Sequence, residues 1–282
     1  MRIAHIVLPG ASEYERKSQR ADQAALSKEH EVLLVDGAVL DPAAIESAGA
    51  SVAHVYASGP LPAAPFRRFP IPYVSSAEMP RPRWAFRRPL APAIVFSPLA
   101  PPQGEGAIRF LPEAVDERYW HAPSRRRDPA DGDLHVVASF AREPLRNMVE
   151  QTVMRIHRFR SDIEWRAIGH VPTPEDLAGV DLWVDPATAA DDLDGFVAEA
   201  LVAGVPVVAT RTPINERRLE KGRCGGLVPT SDPNELTHAI LTALFKQEVR
   251  ESRAIAARQT VSRFHVRQRL RILLHTYETL VT

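Results

Sequence analysis

"DDLDGFVAEALVAGVPVVATRTPINE" (Asp191–Glu216) carries in one run an acidic loop, a short apolar helix, a breaker and a buried strand. Phe196, Val197, Ala200 and Leu201 fall on one side of a helix over Gly195–Val202. Gly204 stands where a left-handed residue ends such a helix, and Pro206 prevents its continuation. "VPVVAT" then reads as a buried strand. Just upstream, "DLWVDPA" is another strand, stopped at Asp185-Pro186, so the loop "TAADDLD" lies at its carboxyl end. Strand, loop, helix, strand is the unit of a doubly wound α/β sheet, which binds ligands beyond the carboxyl ends of its strands. Glu199 then sits in the first turns of a helix whose N-terminus faces the ligand edge. A carboxylate among buried residues needs partners. The vicinal hydroxyls of a ribose would supply them, and the helix N-terminus favours a nearby diphosphate.

The same alternation extends outward in both directions. "RIAHIVLPG", "EVLLVDG" and "SVAHVYASG" are strands separated by helical segments, the second helix opened by Asp41 with Pro42 at its first position. Residues 60–102 are rich in Pro and Arg, which excludes long helices and leaves room for two short strands, "PYVSS" and "AIVFS". The arginines there (Arg67, Arg68, Arg81, Arg83, Arg87 and Arg88) fit either a solvated loop face or an anion-facing surface for a phosphate, an acidic acceptor or an anionic membrane. "FLPEAVDERYWHAPSRRRDPADGD" (Phe110–Asp133) reads as a boundary. After it come "LHVVASF", a helix, "IEWRAIG", the opening stretch, "GGLVP", a helix capped by Asp232 with Pro233, and a long Arg-rich helix over Gln247–Leu280 in two pieces. The expected organisation is a first Rossmann-like domain over 1–113, a linker over 114–132, a second Rossmann-like domain over 133–262, and a closing helix over 263–282 that packs back on the first. A cleft between two such domains is the default site.

Composition narrows the function classes. The 282 residues carry 35 Lys+Arg against 35 Asp+Glu, and this balance argues against a general nucleic-acid binder. Mean hydropathy is −0.19, and no window approaches the roughly 18–20 apolar residues of a membrane span. The single cysteine, Cys224, allows neither an internal disulfide nor a Cys-based zinc site, which fits a reducing cytoplasm. "MRIAHIVLPG" reads as a buried strand rather than a secretion signal. No G-x-G-x-x-G follows a strand and no P-loop occurs, which disfavours a nicotinamide dehydrogenase and a P-loop nucleotidase.

Several motifs together resemble a known family. "EALVAGVPVVAT" is similar to the second half of E-G-F-G-L-P-x-x-E-A-x-A-x-G-x-P-V-V; laid on without gaps, that motif's two glutamates fall on Asp191 and Glu199. "CGGLVPTSDPNELTHAI" resembles G-L-L-V-P-P-G-D-P-x-x-L-A-x-A-I, and "SRFHVRQRLRILLHTYETL" a closing R-F-S-W…Y-x-x-L helix. "FLPEAVDERYWHAP" resembles I-P-N-G-V-D-x-x-x-F-x-P, and "SKEHEVLLV" a first-domain G-H-E-V. These are the motifs of the GT-B glycosyltransferases, in particular the retaining group 1 class. The resemblance covers most of the chain and is dense from Asp181 onward.

The resemblance implies a GT-B fold of two Rossmann-like domains with a cleft between them. It further implies sugar transfer, with retention, from a nucleotide-diphosphate sugar (UDP- or GDP-linked) to an unidentified acceptor, without a bound metal or other cofactor. Glu199 would hold the donor ribose and Asp191 would touch the transferred sugar. Gly195, Phe196 and Val197 would lie near the diphosphate, Thr210, Arg211 and Thr212 would line the donor pocket, and Glu216 reads either as a further residue near the donor or as a plain helix-terminus acid. In this class the donor phosphate assists the acceptor while the enzyme stabilises the departing diphosphate, which requires cations. Arg142 and Arg146, in "SFAREPLRN", are the candidates. His170, at a strand's carboxyl end, is a further donor-side candidate, and Gly10, His54 and Ser76 are the acceptor-side ones; His54 also reads as a structural core histidine.

The chain departs from the class pattern where Asp191 replaces Glu, "DDL" replaces E-G-F, "SFAREPLRN" replaces G-R-L-x-x-x-K, and Ala77 replaces a first-domain His. These positions belong to the catalytic apparatus rather than to the scaffold. A second reading therefore stands beside the enzyme: a non-catalytic relative that stabilises an active glycosyltransferase, or a nucleotide-binding module. Homo- or hetero-oligomers are both open, and attachment to a membrane surface is the less favoured reading. Trp165 and Trp183 are expected in the core and Cys224 in a loop. Arg263, Arg267, Arg269 and Arg271 are expected on the wet face of an amphipathic helix.

Overall fold

The computed structural model describes residues 1–57, 61, 66, 69–76, 94–97, 108–122, 134–140, 145–187, 194–229 and 232–282, without the side chains of 94, 95, 108, 145 and 146. The six arginines of the 60–102 segment, Ala77, Asp191 and Arg142 lie outside the described residues. The chain divides into two compact units, Met1–Asp116 with Phe264–Thr282, and Glu117–Arg263.

The first unit is a parallel sheet in the order β2-β1-β3-β4-β5-β6. Its strands are β1 (Arg2–Val7), β2 (Glu31–Asp36), β3 (Val52–Tyr56), β4 (Tyr73–Ser76), β5 (Ile94–Ser97) and β6 (Ile108–Phe110). Every residue of β3 and β4 is buried, His54, Ser75 and Ser76 included, as expected of central parallel strands covered on both faces. Helix α1 (Glu13–Leu26) starts at a reciprocal cap in which Ser12 Oγ accepts from the Glu15 amide and the Glu15 carboxylate accepts from the Ser12 amide. Helix α2 (Pro42–Ser47) starts at the expected Asp41, whose carboxylate accepts from the Ala43 amide at 3.0 Å. The second half of the expected long helix also belongs to this unit, with Leu273 and Tyr277 joining Ile3, Val52, Val74 and Phe96 in one core cluster.

The second unit opens with α3 (Glu117–Trp120) and carries a parallel sheet in the order β11-β10-β9-β7-β8. Its strands are β7 (His135–Phe140), β8 (Ile163–Ile168), β9 (Leu182–Asp185), β10 (Val207–Thr210) and β11 (Gly226–Val228). Between and after them run α4 (Leu145–His157), α5 (Pro174–Leu177), α6 (Val197–Val202), α7 (Pro213–Arg218), α8 (Pro233–Phe245) and α9 (Gln247–Thr260). Val137, Leu182, Val184 and Val208 of the sheet pack against Val149 and Val153 of α4 and Leu236 and Ile240 of α8. Numbered within its own unit, each sheet follows the same doubly wound order, 2-1-3-4-5, with one further strand in the first.

Helix α9 ends at Thr260, a tight turn spans Val261–Phe264, and α10 (Val266–Val281) begins at His265. The break in the Arg-rich helix is thus also the crossing between units.

The wet-face expectation fails for Arg269. Its guanidinium is buried and bonds both oxygens of the buried Asp22 carboxylate, at 2.6 and 2.8 Å, and the Pro112 carbonyl at 3.0 Å. Burial alone would lower the arginine's pKa; Asp22 beside it reverses that and raises it. The physical reason is the helix period: Arg269, Leu273, Thr276 and Tyr277 share the buried stripe of α10. Arg267 and Arg271 are exposed as expected, whereas Arg263 is partly buried, donating to the carbonyls of Arg217 and Arg218.

Candidate functional site

In the second unit the chain order reverses between β7 and β9, so ligand chemistry is sought beyond the carboxyl ends of β7, β9 and β10. Asp185 closes β9 there and is 2% exposed. Its carboxylate accepts from Asn215 Nδ2 at 2.8 Å, and the same amide nitrogen donates to the Thr210 carbonyl at 3.1 Å. Thr212 caps α7 by accepting from the Asn215 amide, and Arg218 Nη1 donates to Asn215 Oδ1 at 3.5 Å. One asparagine therefore ties the ends of β9 and β10 to the first turn of α7.

Gly195 rests against this carboxylate so closely that a Cβ there would lie 2.4 Å from the Asp185 carboxyl group. Its carbonyl accepts from the Trp183 indole N–H at 2.8 Å. Phe196 follows in the left-handed region, φ 53°, at the N-cap of α6, and provides no side-chain cap. It is buried, with its ring edge-on to Phe140 at 5.0 Å. Val197 is buried behind it, and Glu199, in the first turn of α6, is 3% exposed. Gly204 takes φ 79° one residue past the C-cap Ala203, the left-handed termination expected of it.

The donor-side candidates divide. Glu199, Gly195, Phe196, Val197, Thr210 and Thr212 gather at this edge. Arg211 and Glu216 pair with each other at 3.0 Å, both substantially exposed. His170 follows β8, stands largely in solvent and bonds Asp176 at 2.9 Å. Burial pushes the Asp176 carboxyl up, but hydrogen bonds from Thr173 and His170 outweigh it and hold the group below its ordinary value. Arg146 lies in the first turn of α4, after β7, with its side chain not described. Asp185, Asn215 and Arg218 were not among the sequence candidates. The signals for the first two were a strand ending on Asp-Pro and an Asn just inside a Pro-started helix; Arg218 had none.

On the first unit, Gly10 follows β1 at φ 80°, with open space where a Cβ would stand. His54 is fully buried; its ring nitrogens lie 2.6 Å from Tyr277 Oη and 2.7 Å from Ser76 Oγ, and Tyr56 stacks on it at 4.2 Å. This is the core histidine of the alternative reading, and Ser76, also buried, is its partner. Burial lowers the pKa of His54 well below the ordinary value, and neighbouring His5 and Arg269 add to that. Trp183 is in the core and Cys224 is buried in its loop.

Two α/β units, each with a parallel sheet in the doubly wound order, define the GT-B class of glycosyltransferase architecture. The model for "Glycosyl transferases group 1" matches residues 105–245, half of the chain, and the chain belongs to that family. Among solved structures it is similar to a glycosyltransferase from Rickettsia africae ESF-5 (11% identity, TM-score 0.73, covering 100% of this chain and 98% of that one). It is likewise similar to Anabaena Alr3699/HepE in complex with UDP (16% identity, TM-score 0.71, covering 99% and 100%). At such identities the likeness is one of fold. A phosphatidyl-myo-inositol mannosyltransferase of Mycobacterium leprae (strain TN) is 28% identical over 106 residues, 38% of this chain and 28% of that protein. The chain thus spans little more than a quarter of the length of that curated relative.

Proposed function

We propose that the chain transfers a glycosyl group from a nucleoside-diphosphate sugar, with retention and without a metal, to an acceptor that its residues do not identify. The observation that carries this reading is the buried Glu199 carboxylate in the first turn of α6, the helix entered through Gly195, which rests on the Asp185 carboxylate at the carboxyl edge of the second sheet. Glu199 accepts hydrogen bonds from the ribose hydroxyls, a charge-assisted contact worth roughly 1.5–3 kcal/mol. Gly195 supplies the close backbone approach, and the amides of Phe196 and Val197 face the diphosphate. Thr210 and Thr212 border the donor. Arg142 and Arg146 meet the charge that develops on the leaving diphosphate, and Asp191 contacts the sugar. UDP is the first nucleotide to test, because a structural neighbour binds it.

The test is calorimetric titration of the purified chain with UDP, GDP, ADP and dTDP in the absence of divalent metal. One nucleotide binds, and Glu199→Ala weakens it by at least about tenfold while the unfolding midpoint shows that the variant is folded. Unchanged affinity in the folded variant refutes the assignment of Glu199. The second reading, a non-catalytic relative, is favoured by one observation: Ala77 and "SFAREPLRN" stand where the class carries His and Lys. It requires that the isolated chain show no turnover, with sugar transfer appearing only in complex with a second glycosyltransferase if the chain is a partner; sugar transfer by the isolated chain eliminates it.

A further inference from the structure

The second unit carries a cavity of about 520 Å³ at the amino end of β10, the opposite end of the strand from the candidate donor site. Its size is that of a small-molecule pocket. The floor is apolar, formed by Leu201 from the last turn of α6, Val205 and Val207 at the entry to β10, and Ala243 of α8. One wall is α9, which presents Ala254 and Ala257 together with Arg250, Arg253 and Arg258. No acidic side chain is among the lining residues. Among the described residues none of these three guanidinium groups makes a hydrogen bond or an ion pair. Arg253 lies along Gly226, where an added Cβ would stand 3.3 Å from its Nη1. It is half-buried, and burial lowers its pKa with no anion beside it to reverse the shift.

An ordinary surface arginine finds a carboxylate or points into water. Three on one helix face, lining one concave apolar site without a counter-charge, are a recognition pattern for an anion carried on a hydrocarbon body. The guanidinium fork suits a carboxylate or a phosphate oxygen pair, and the alanine, valine and leucine surface suits an alkyl chain. We infer that this cavity binds a single-chain anionic amphiphile, an alkyl carboxylate or alkyl phosphate taken up as a monomer, with its head on Arg250, Arg253 and Arg258 and its chain over the floor beneath α9.

The inference is tested on the full chain by calorimetric titration with four probes below their micelle-forming concentrations: dodecanoate, dodecyl phosphate, inorganic phosphate and dodecyltrimethylammonium. The expected result is saturable 1:1 binding of dodecanoate, dodecyl phosphate or both. Inorganic phosphate binds at least about tenfold more weakly, and the cationic amphiphile does not bind. The ratio of the first two probes tells a fatty carboxylate from a lipid phosphate. The triple variant Arg250→Gln, Arg253→Gln, Arg258→Gln loses at least about tenfold in affinity for the anionic probes at an unchanged unfolding midpoint. Should the triple variant fail to fold, Arg258→Gln, at an exposed position, carries the same test with a smaller loss. Equal binding of the cationic amphiphile overturns the inference. So does inorganic phosphate that binds as tightly as dodecyl phosphate, or a folded variant that binds the anionic probes as the parent does.

Discussion

Replacing Gly195 by Ala tests the cluster at the head of the candidate donor site most directly. The new methyl would lie 2.4 Å from the Asp185 carboxyl group, far inside van der Waals contact. Neither side yields cheaply. Asp185 is buried and held by Asn215, while the Gly195 carbonyl is fixed by the Trp183 indole. Overpacking of this kind costs about 1–3 kcal/mol. The conformational restriction that Ala brings to the unfolded chain returns only about 0.4–1 kcal/mol. A net loss of about 1–2 kcal/mol is expected, or about 2–8 °C in Tm at roughly 2–4 °C per kcal/mol for a domain of this size. Gly169→Ala is the matched control, in the same unit, with nothing within 4 Å of the new methyl; it should be neutral or slightly stabilising. Urea unfolding of both variants gives the comparison. The clash is with one named carboxylate, so Gly195→Ala should cost less in an Asp185→Ala background, and the double-mutant cycle should show coupling of at least about 0.5 kcal/mol. A Gly195→Ala chain as stable as the Gly169→Ala chain, or strictly additive effects with Asp185→Ala, would refute the argument.

Arg269→Met strands the buried Asp22 carboxylate and should cost about 3–5 kcal/mol in denaturant unfolding, whereas Asp22→Leu with Arg269→Met should recover a large part of that loss. His5 has a pKa lowered to about 4, chiefly by burial, against 6.5 when unfolded. The unfolded chain therefore takes up the proton first, and stability present above about pH 6.5 is lost as the pH falls towards 4, at about 1.4 kcal/mol per unit. The stability difference between pH 7 and pH 5 should narrow by about 2 kcal/mol in His5→Leu; an unchanged difference counts against a buried neutral His5. Asn215→Ala should lower both the unfolding midpoint and the nucleotide affinity, since that side chain joins Asp185 to the Thr210 carbonyl; an effect on neither removes it from the site.

Most of the alternation was legible because central parallel strands are short β-branched runs and their helices announce their starts. Asp41-Pro42 and Asp232-Pro233 were read as caps, and their carboxylates accept from Ala43 and Asn234. Strand β6 was not legible, since three residues carry too little periodicity to separate them from a loop. The buried face of α10 was misread at Arg269 because a guanidinium at a stripe position looks polar until its partner is known, and Asp22 lies 247 residues away. The candidate site was legible to the extent that its motif is local. Glu199 and the glycine before Phe196 could be read from one helix, whereas Asp185 and Asn215 meet only when β9 and α7 are folded. Gly195 illustrates the limit: the sequence reads it as the first residue of the helix, whereas the helix starts at Val197 and only the structure shows the carboxylate that a side chain at Gly195 would strike.

Unit boundaries at Asp116 and Phe264 make the second unit an uninterrupted run of chain, while the first is assembled from two separated runs. During synthesis the stretch 117–263 can emerge and close its core by itself. The first sheet must wait for α10 to bring Leu273, Tyr277 and the Arg269 counter-charge to Asp22. Until then its nascent form exposes a buried acid and an open apolar face, the kind of surface that holding chaperones recognise. A chain cut at residue 265 would accordingly keep a folded second unit beside an incomplete first one. That asymmetry can be read by limited proteolysis, with fragments of the second unit surviving and those of the first degraded.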